Sequence, residues 1–225
     1  MEDSQRGFER CFALLQAGDA GGLRRILEQD PAASEARDST GVSLLMHSIY
    51  RGRRDLAELI VSRKKALDIF EATSLGRLDR LKQCLRDAPA RSALDSRSKD
   101  GFTALHFACF FGQPEAARLL IESGAAVDAV AANPTQVMPL HSAASARNLE
   151  AARLLLDHGA PGIVNARQQG GWVPIHAAAQ NGDRAMVELL LKHRADPKLA
   201  NDDGKTPAVV AREKGHEEIA ALLEK

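Results

Sequence analysis

A fixed spacing constrains this chain more than any other feature. Histidine stands in Thr103-Ala104-Leu105-His106, in Met138-Pro139-Leu140-His141 and in Val173-Pro174-Ile175-His176, each 35 residues after the last. The same column in Thr206-Pro207-Ala208-Val209 holds Val209, 33 residues further on. A second column runs through Gly112, Arg147, Gly182 and Gly215, and a third through the apolar runs ARLLIESGA, ARLLLDHGA and VELLLKHRA. Around these columns one pattern repeats: a turn such as Asp100-Gly101, a short apolar run, a glycine break, a second apolar run. That pattern describes two short helices joined by a tight turn and preceded by a hairpin-like loop. Neither helix reaches the roughly 12–15 residues that an isolated helix needs. Each unit must lean on the next, which makes the array a solenoid whose units touch only their neighbours.

The residues that carry the period resemble the ankyrin-repeat family, whose unit of about 33 residues bears a T-P-L-H-x-A pattern. The local matches are Pro139-Leu140-His141, Pro174-Ile175-His176-Ala177-Ala178 and Asp203-Gly204-Lys205-Thr206-Pro207. The resemblance is strong over residues 99–225. It implies an all-α solenoid of helix-turn-helix units with β-hairpin-like loops, acting in protein–protein recognition without catalysis.

Upstream the pattern is weaker. Gly41-Val42-Ser43-Leu44-Leu45 holds the loop-to-helix register and Gly52 the inter-helix turn, while His47 lies one place beyond the histidine column, at which Met46 stands. Gly76 follows Gly52 by only 24 residues, so the unit around Leu67–Asp87 keeps both helices but has almost no loop before it. A single array of about seven units follows, at roughly 5–37, 38–66, 67–98, 99–130, 131–167, 168–200 and 201–225. The first and last act as caps, and the third lacks its finger loop, which should bend or gap the row of loops. The 35-residue spacings place extra pairs of residues in Ala129–Val137 and at Pro161-Gly162-Ile163, where loop closure tolerates them. Arg147 replaces glycine in the turn column, and Arg194 stands where Gly124 and Gly159 stand. Both arginines are expected in the left-handed conformation, through drift or because one of them touches a partner.

Composition narrows function. Lys+Arg and Asp+Glu are both 30, so no net field attracts nucleic acid. Cys11, Cys84 and Cys109 are far apart with no CxxC, as expected of reduced thiols. No apolar run approaches the ~20 residues of a membrane span, and residues 1–20 lack the apolar stretch of a signal peptide. A soluble, cytoplasmic monomer is expected.

Chemistry finds little support. His106 and Cys109 lie three apart on one helix, which invites a nucleophile–base reading. Yet the histidine recurs at His141 and His176, where no cysteine follows, so position in the repeat explains it. The aligned histidines do not have the spacing of a zinc set, and phosphate-loop, GxSxG and HExxH motifs are absent. No catalytic, cofactor or metal residues are therefore expected. The basic stretches Arg51-Gly52-Arg53-Arg54 and Arg63-Lys64-Lys65 read as a solvated helix end and turn, or as a patch for an acidic protein or peptide near Arg51–Arg54.

In the family the two positions before each inter-helix turn face the concave side. Here that implies Tyr50-Arg51, Ser74-Leu75, Phe110-Phe111, Ser145-Ala146, Gln180-Asn181 and Glu213-Lys214, with Phe102 and Trp172 at loop tips. Interfaces concentrate Trp, Tyr, Phe and Arg at their energetic centres. The expected partner-binding residues are therefore Tyr50, Arg51, Leu75, Phe102, Phe110, Phe111, Trp172, Gln180 and Asn181, although Phe110 and Phe111 equally suit packing between units. The partner is a protein or extended peptide. A competing reading makes the array an inhibitor or accessory subunit of a partner enzyme, and another a secreted host-directed effector.

Overall fold

Short helices with strong start and stop signals build the molecule. The computed structural model describes residues 2–87, 94–159 and 161–225, with side chains from Phe8 onward except that of Pro161. These residues form fourteen α-helices in seven antiparallel pairs: α1 (Glu2–Ala17) with α2 (Ala20–Gln29), α3 (Leu44–Tyr50) with α4 (Arg54–Val61), α5 (Ile69–Ser74) with α6 (Leu78–Asp87), α7 (Ala104–Phe110) with α8 (Pro114–Glu122), α9 (Pro139–Ser145) with α10 (Leu149–His158), α11 (Pro174–Gln180) with α12 (Arg184–Lys192), and α13 (Pro207–Glu213) with α14 (Glu217–Leu223). Among the described residues the β-structure is limited to one bridge, Arg37 with Ser43. Fold class is therefore as expected: an all-α solenoid.

The turn column fixes each pair. In every unit one residue takes positive φ: Gly18, Gly52, Gly76, Gly112, Arg147, Gly182 and Gly215. The next residue's N–H then donates to the carbonyl five positions back, from Asp19 to Leu14 through His216 to Ala211, at 2.8–3.0 Å. This bond closes a Schellman-type stop. Arg147 (φ 59°) and Arg194 (φ 68°) adopt the left-handed conformation the alignment demands, and Gln136 (φ 53°) joins them. Gly159 does not: its backbone is extended (φ −88°, ψ 161°). The chain beyond it enters a 3₁₀ turn, Pro161–Asn165, that holds the second inserted pair. A β-carbon at position 159 would lie 2.3 Å from Ile163 Cδ1 and 2.6 Å from the Leu155 carbonyl oxygen. Glycine is needed there for space rather than for φ. Ala160, aligned as the end of that unit's second helix, lies outside the described residues.

Alanine lets the inner helices approach. Ala108, Ala143, Ala144, Ala178 and Ala211 are fully buried, in one core with leucines such as Leu105, Leu120, Leu140 and Leu155; Ala177 is only half-buried. Proline opens α8, α9, α11 and α13 at the position where a missing N–H costs nothing.

The finger loops form a hydrogen-bonded row. Each closes on itself, as Ser98 N–H to Phe102 O (2.8 Å) or Gln168 N–H to Trp172 O (2.8 Å), and each donates to its predecessor: Ala132 N–H to Gly101 O, Gln169 N–H to Thr135 O, Asp202 N–H to Gly170 O, all 2.9 Å. The finger at 131–137 carries the first inserted pair: Ala131 N–H reaches Val137 O at 2.8 Å, two residues further than in its neighbours. The row stops at Gly101. Before it, where the third unit has no finger, the Lys99 side chain packs over Gly41, and beside them lies a cavity of about 290 Å³ lined by Arg37, Asp68, Phe70, Arg97 and Asp100 among others.

Candidate partner-binding face

The gap changes what the neighbouring side chains can reach. Tyr50, the last residue of α3, extends past the fingerless unit, and its hydroxyl donates to Asp100 in the finger before α7. Its ring stacks on Phe111 (centroids 6.0 Å, 27°) and lies 6.4 Å from Phe107. Phe107 stacks in turn on Phe111 (6.1 Å, 17°) and meets Phe70 and Phe102 edge-on at 5.9 and 5.7 Å. Phe110 packs edge-on against Phe111 at 5.2 Å. On the N-terminal side His47 and Phe12 continue the series. Six of the seven phenylalanines and the one tyrosine of the chain are thus gathered around units two to four. Most of this surface is covered, but Tyr50 remains 40% and Phe110 51% exposed. Beneath them lies a cavity of about 240 Å³, lined by Tyr50, Asp100, Phe102, His106, Phe107, Phe110 and Ser142.

Two family models match the chain. "Ankyrin repeats (3 copies)" covers residues 69–166 and "Ankyrin repeats (many copies)" residues 155–211. Together they span well over half of the sequence. The chain belongs to the ankyrin-repeat family. No curated protein matches it. Ankyrin repeats are generally protein–protein interaction modules, and in this ankyrin array the nine residues expected to bind a partner divide into groups.

Tyr50, Phe102, Phe110 and Phe111 lie in one cluster. Leu75 caps α5 half-buried and shares a shallow cleft with Phe111 and Ile49. Arg51 is exposed, with Nη1 3.2 Å from His47 Nδ1. Trp172 and Gln180 lie two units further along. The Trp172 ring covers His176 (5.3 Å) as Phe102 covers His106 (5.7 Å), so both loop-tip aromatics shield a buried imidazole. Asn181 uses its amide to bind the Ser145 and Ala144 carbonyls of the preceding unit at 3.1 and 3.3 Å. Gln113 and Asn148 make the same kind of clamp to Ser74 and Cys109. Its alignment with exposed positions therefore hid a structural task.

In the basic stretches Arg51, Arg54, Arg63 and Lys65 are exposed as a solvated run would be, and Lys64 is the exception. Arg53 is paired with Asp55 at 2.8 Å. The Lys64 side chain is 2% exposed and lies between Glu35 (2.8 Å) and Glu71 (3.3 Å), itself 1% exposed. Glu71 takes the third helical position after its cap residue, as the histidines do in units four to six. There it accepts from Asp68 N–H (3.1 Å) and from the Ser43 hydroxyl of the second unit (2.7 Å). Asp68-x-x-Glu71 is a capping box, a sequence signal for Glu71 that went unread above. Phe107 was legible too. Sister units place Ser142, Ala177 and Val210 in its column, and the ring exceeds them all.

The histidines have a single arrangement. Each Nδ1 accepts from the N–H of its own helix cap (Thr103, Met138, Val173), and each Nε2 donates to a carbonyl in the loop leading to the next helix pair: Val137 (3.0 Å), Ala166 (3.0 Å) and Lys205 (3.1 Å). An N–H and a C=O at opposite ends of the ring require the neutral Nε2–H tautomer. Burial pushes His106 and His141 down to about 4, outweighing the carbonyl bonds that act the other way, and lowers His176 as well. Burial also pushes the Cys109 thiol up. His106 has no nitrogen left for Cys109, and a raised thiol is the reverse of an activated nucleophile. Among the described residues no three His, Cys, Asp or Glu side chains are grouped as a metal site requires, and no helix is long and apolar enough to cross a membrane.

Proposed function

We propose that this ankyrin array binds a protein or extended peptide without catalysis, and that its concave aromatic cluster around Tyr50 and Phe110 is the anchor. The observation that carries this reading is the partial exposure of those two rings above a mostly apolar cavity. Large rings left half in water are costly unless a partner covers them, and interface hot spots favour such residues. Leu75 and Phe111 extend the contact to one side. Trp172, Gln180 and exposed parts of Asn181 extend it along the fingers. Exposed Arg51 and Arg54 favour an acidic stretch of partner beside the cluster; Arg53 is paired with Asp55 at the surface and Lys64 is buried. The three free, separated thiols suit a reducing compartment such as the cytoplasm, with the array a monomer.

The test is affinity capture with the intact chain, identification of the bound protein, and titration against the variants. Phe110→Ala should weaken binding by about 2 kcal/mol and leave the melting midpoint unchanged, because its ring is outside the core. Retained affinity in Phe110→Ala and Tyr50→Phe/Phe110→Ala chains would exclude the cluster as the anchor.

A further inference from the structure

The cavity beneath Phe110 is made by a drop in side-chain size. Phe107 on α7 and Ser142 on α9 share one column of the repeat, and the step from large to small leaves a space of about 240 Å³. Tyr50, Phe102, Phe107 and Phe110 wall it. The polar groups around it are engaged, with one exception. Asp100 accepts from the hydroxyls of Ser98 and Tyr50, and both nitrogens of His106 are held by backbone groups. The Ser142 hydroxyl has no hydrogen-bond partner among the described residues, although the residue is only 7% exposed and lines the space. A firmly held water needs several polar partners, and here one is on offer. The cavity therefore favours an apolar group able to make a single hydrogen bond.

From this geometry we infer that the cavity receives a tryptophan side chain of the partner, its indole between the aromatic walls and its N–H donated to the Ser142 hydroxyl. This rests on the partner-binding reading above and gives that surface its ligand chemistry. A closed apolar cavity of about 150 Å³ takes up benzene; this one is larger by roughly the ratio of indole to benzene. A charged side chain would lose its hydration here with nothing left to pair with it. Leucine or phenylalanine would seal the Ser142 hydroxyl away from water without a partner, which is costly. Tyrosine can bond, but its single ring leaves part of the space empty and forfeits contacts there. A buried indole N–H wants an acceptor, and interface anchors favour tryptophan.

The test titrates acetyl-Gly-Trp-Gly-amide, its indole carrying a fluorine label, into the full chain and follows the fluorine resonance, which keeps the signal apart from Trp172. Saturable binding in the millimolar range is expected. The N-methylindole peptide, which lacks the donor, should bind about fivefold more weakly. Phenylalanine, leucine and arginine peptides should compete poorly. Ser142→Ala removes the acceptor where a sister unit carries Ala177, so it should erase the difference between the two indoles at an unchanged melting midpoint. Ser142→Val, after Val210 of the last unit, fills the space and should weaken both several-fold. If either variant fails to fold, the peptide comparison on the unaltered chain decides. No saturable binding, equal affinity for the two indoles, tighter binding of any other peptide, or undiminished binding to Ser142→Val would overturn the inference. A captured partner that depends on Phe110 but tolerates loss of its own tryptophans would overturn the indole and leave the broader binding face standing; one indifferent to Phe110 would remove both.

Discussion

The histidine column shows how a single residue type can link units and also make them sensitive to acid. His106 and His141 bridge the cap of their own helix to a carbonyl in the loop leading to the next helix pair, and only the neutral ring can do so. Their pKa values are held at about 4, against about 6.5 in an unfolded chain. The unfolded state therefore takes up protons first. Stability is fully present above about pH 6.5 and falls as pH drops towards about 4, by on the order of 3 kcal/mol per histidine. Urea titrations at pH 7.5, 6 and 4.5 should show the midpoint falling through that window, with a shallower fall in His141→Leu. Asp38 acts lower: burial raises it, but hydrogen bonds from Thr40, His47 and Val42 prevail and hold it at about 2. Its contribution is lost only below about pH 4. The position of these histidines was readable from spacing alone, because a 35-residue recurrence with no recurring partner residue signals scaffold. Their acid sensitivity was not, since it depends on which carbonyl the next loop presents.

At the scale of helices, the third pair is the exception that organises the rest. α5 packs along α7 but meets α3 over a much shorter stretch. Across that thin seam lie Ser43, Glu71 and Lys64, a buried polar link where other units use histidine. Removing one member of a buried ion pair strands the other, typically at about 3–5 kcal/mol. Lys64→Ala, which strands the buried Glu71 carboxylate, should therefore lower stability by that order in chemical denaturation. Arg77→Ala, which breaks the exposed pair with Glu58, should cost under about 1 kcal/mol. Helix pairs could be placed from sequence because the glycine and leucine columns keep one register through both insertions. Lys64 could not, since its neighbours Arg63 and Lys65 are exposed and a run of three cations looks solvated. Tyr50 was singled out for its size alone. Its reach to Asp100, 50 positions on, appears only once the absent finger brings the second and fourth units together.

For the molecule as a whole, the seven pairs form a line in which each interface carries its own share of stability. The finger row is continuous from Gly101 to Asp202 through backbone hydrogen bonds, whereas the link across the third unit is made by side chains. The expected outcome is unequal cooperativity. Pairs four to seven melt together, and the first two pairs separate from them under milder conditions.

That difference has a mechanical side. Pulled from its two ends, the array bears load in series, and backbone links between fingers resist together while a few side-chain contacts yield one by one. The first rupture in an optical-trap experiment should free the chain up to about residue 66, a contour gain of roughly 200 Å, before anything beyond it lets go. An initial rupture in the C-terminal pairs would show that the missing finger is not the weak point. With the first rupture at the third unit, the unit without a loop acts as a fuse, setting the tension at which the aromatic face is pulled apart.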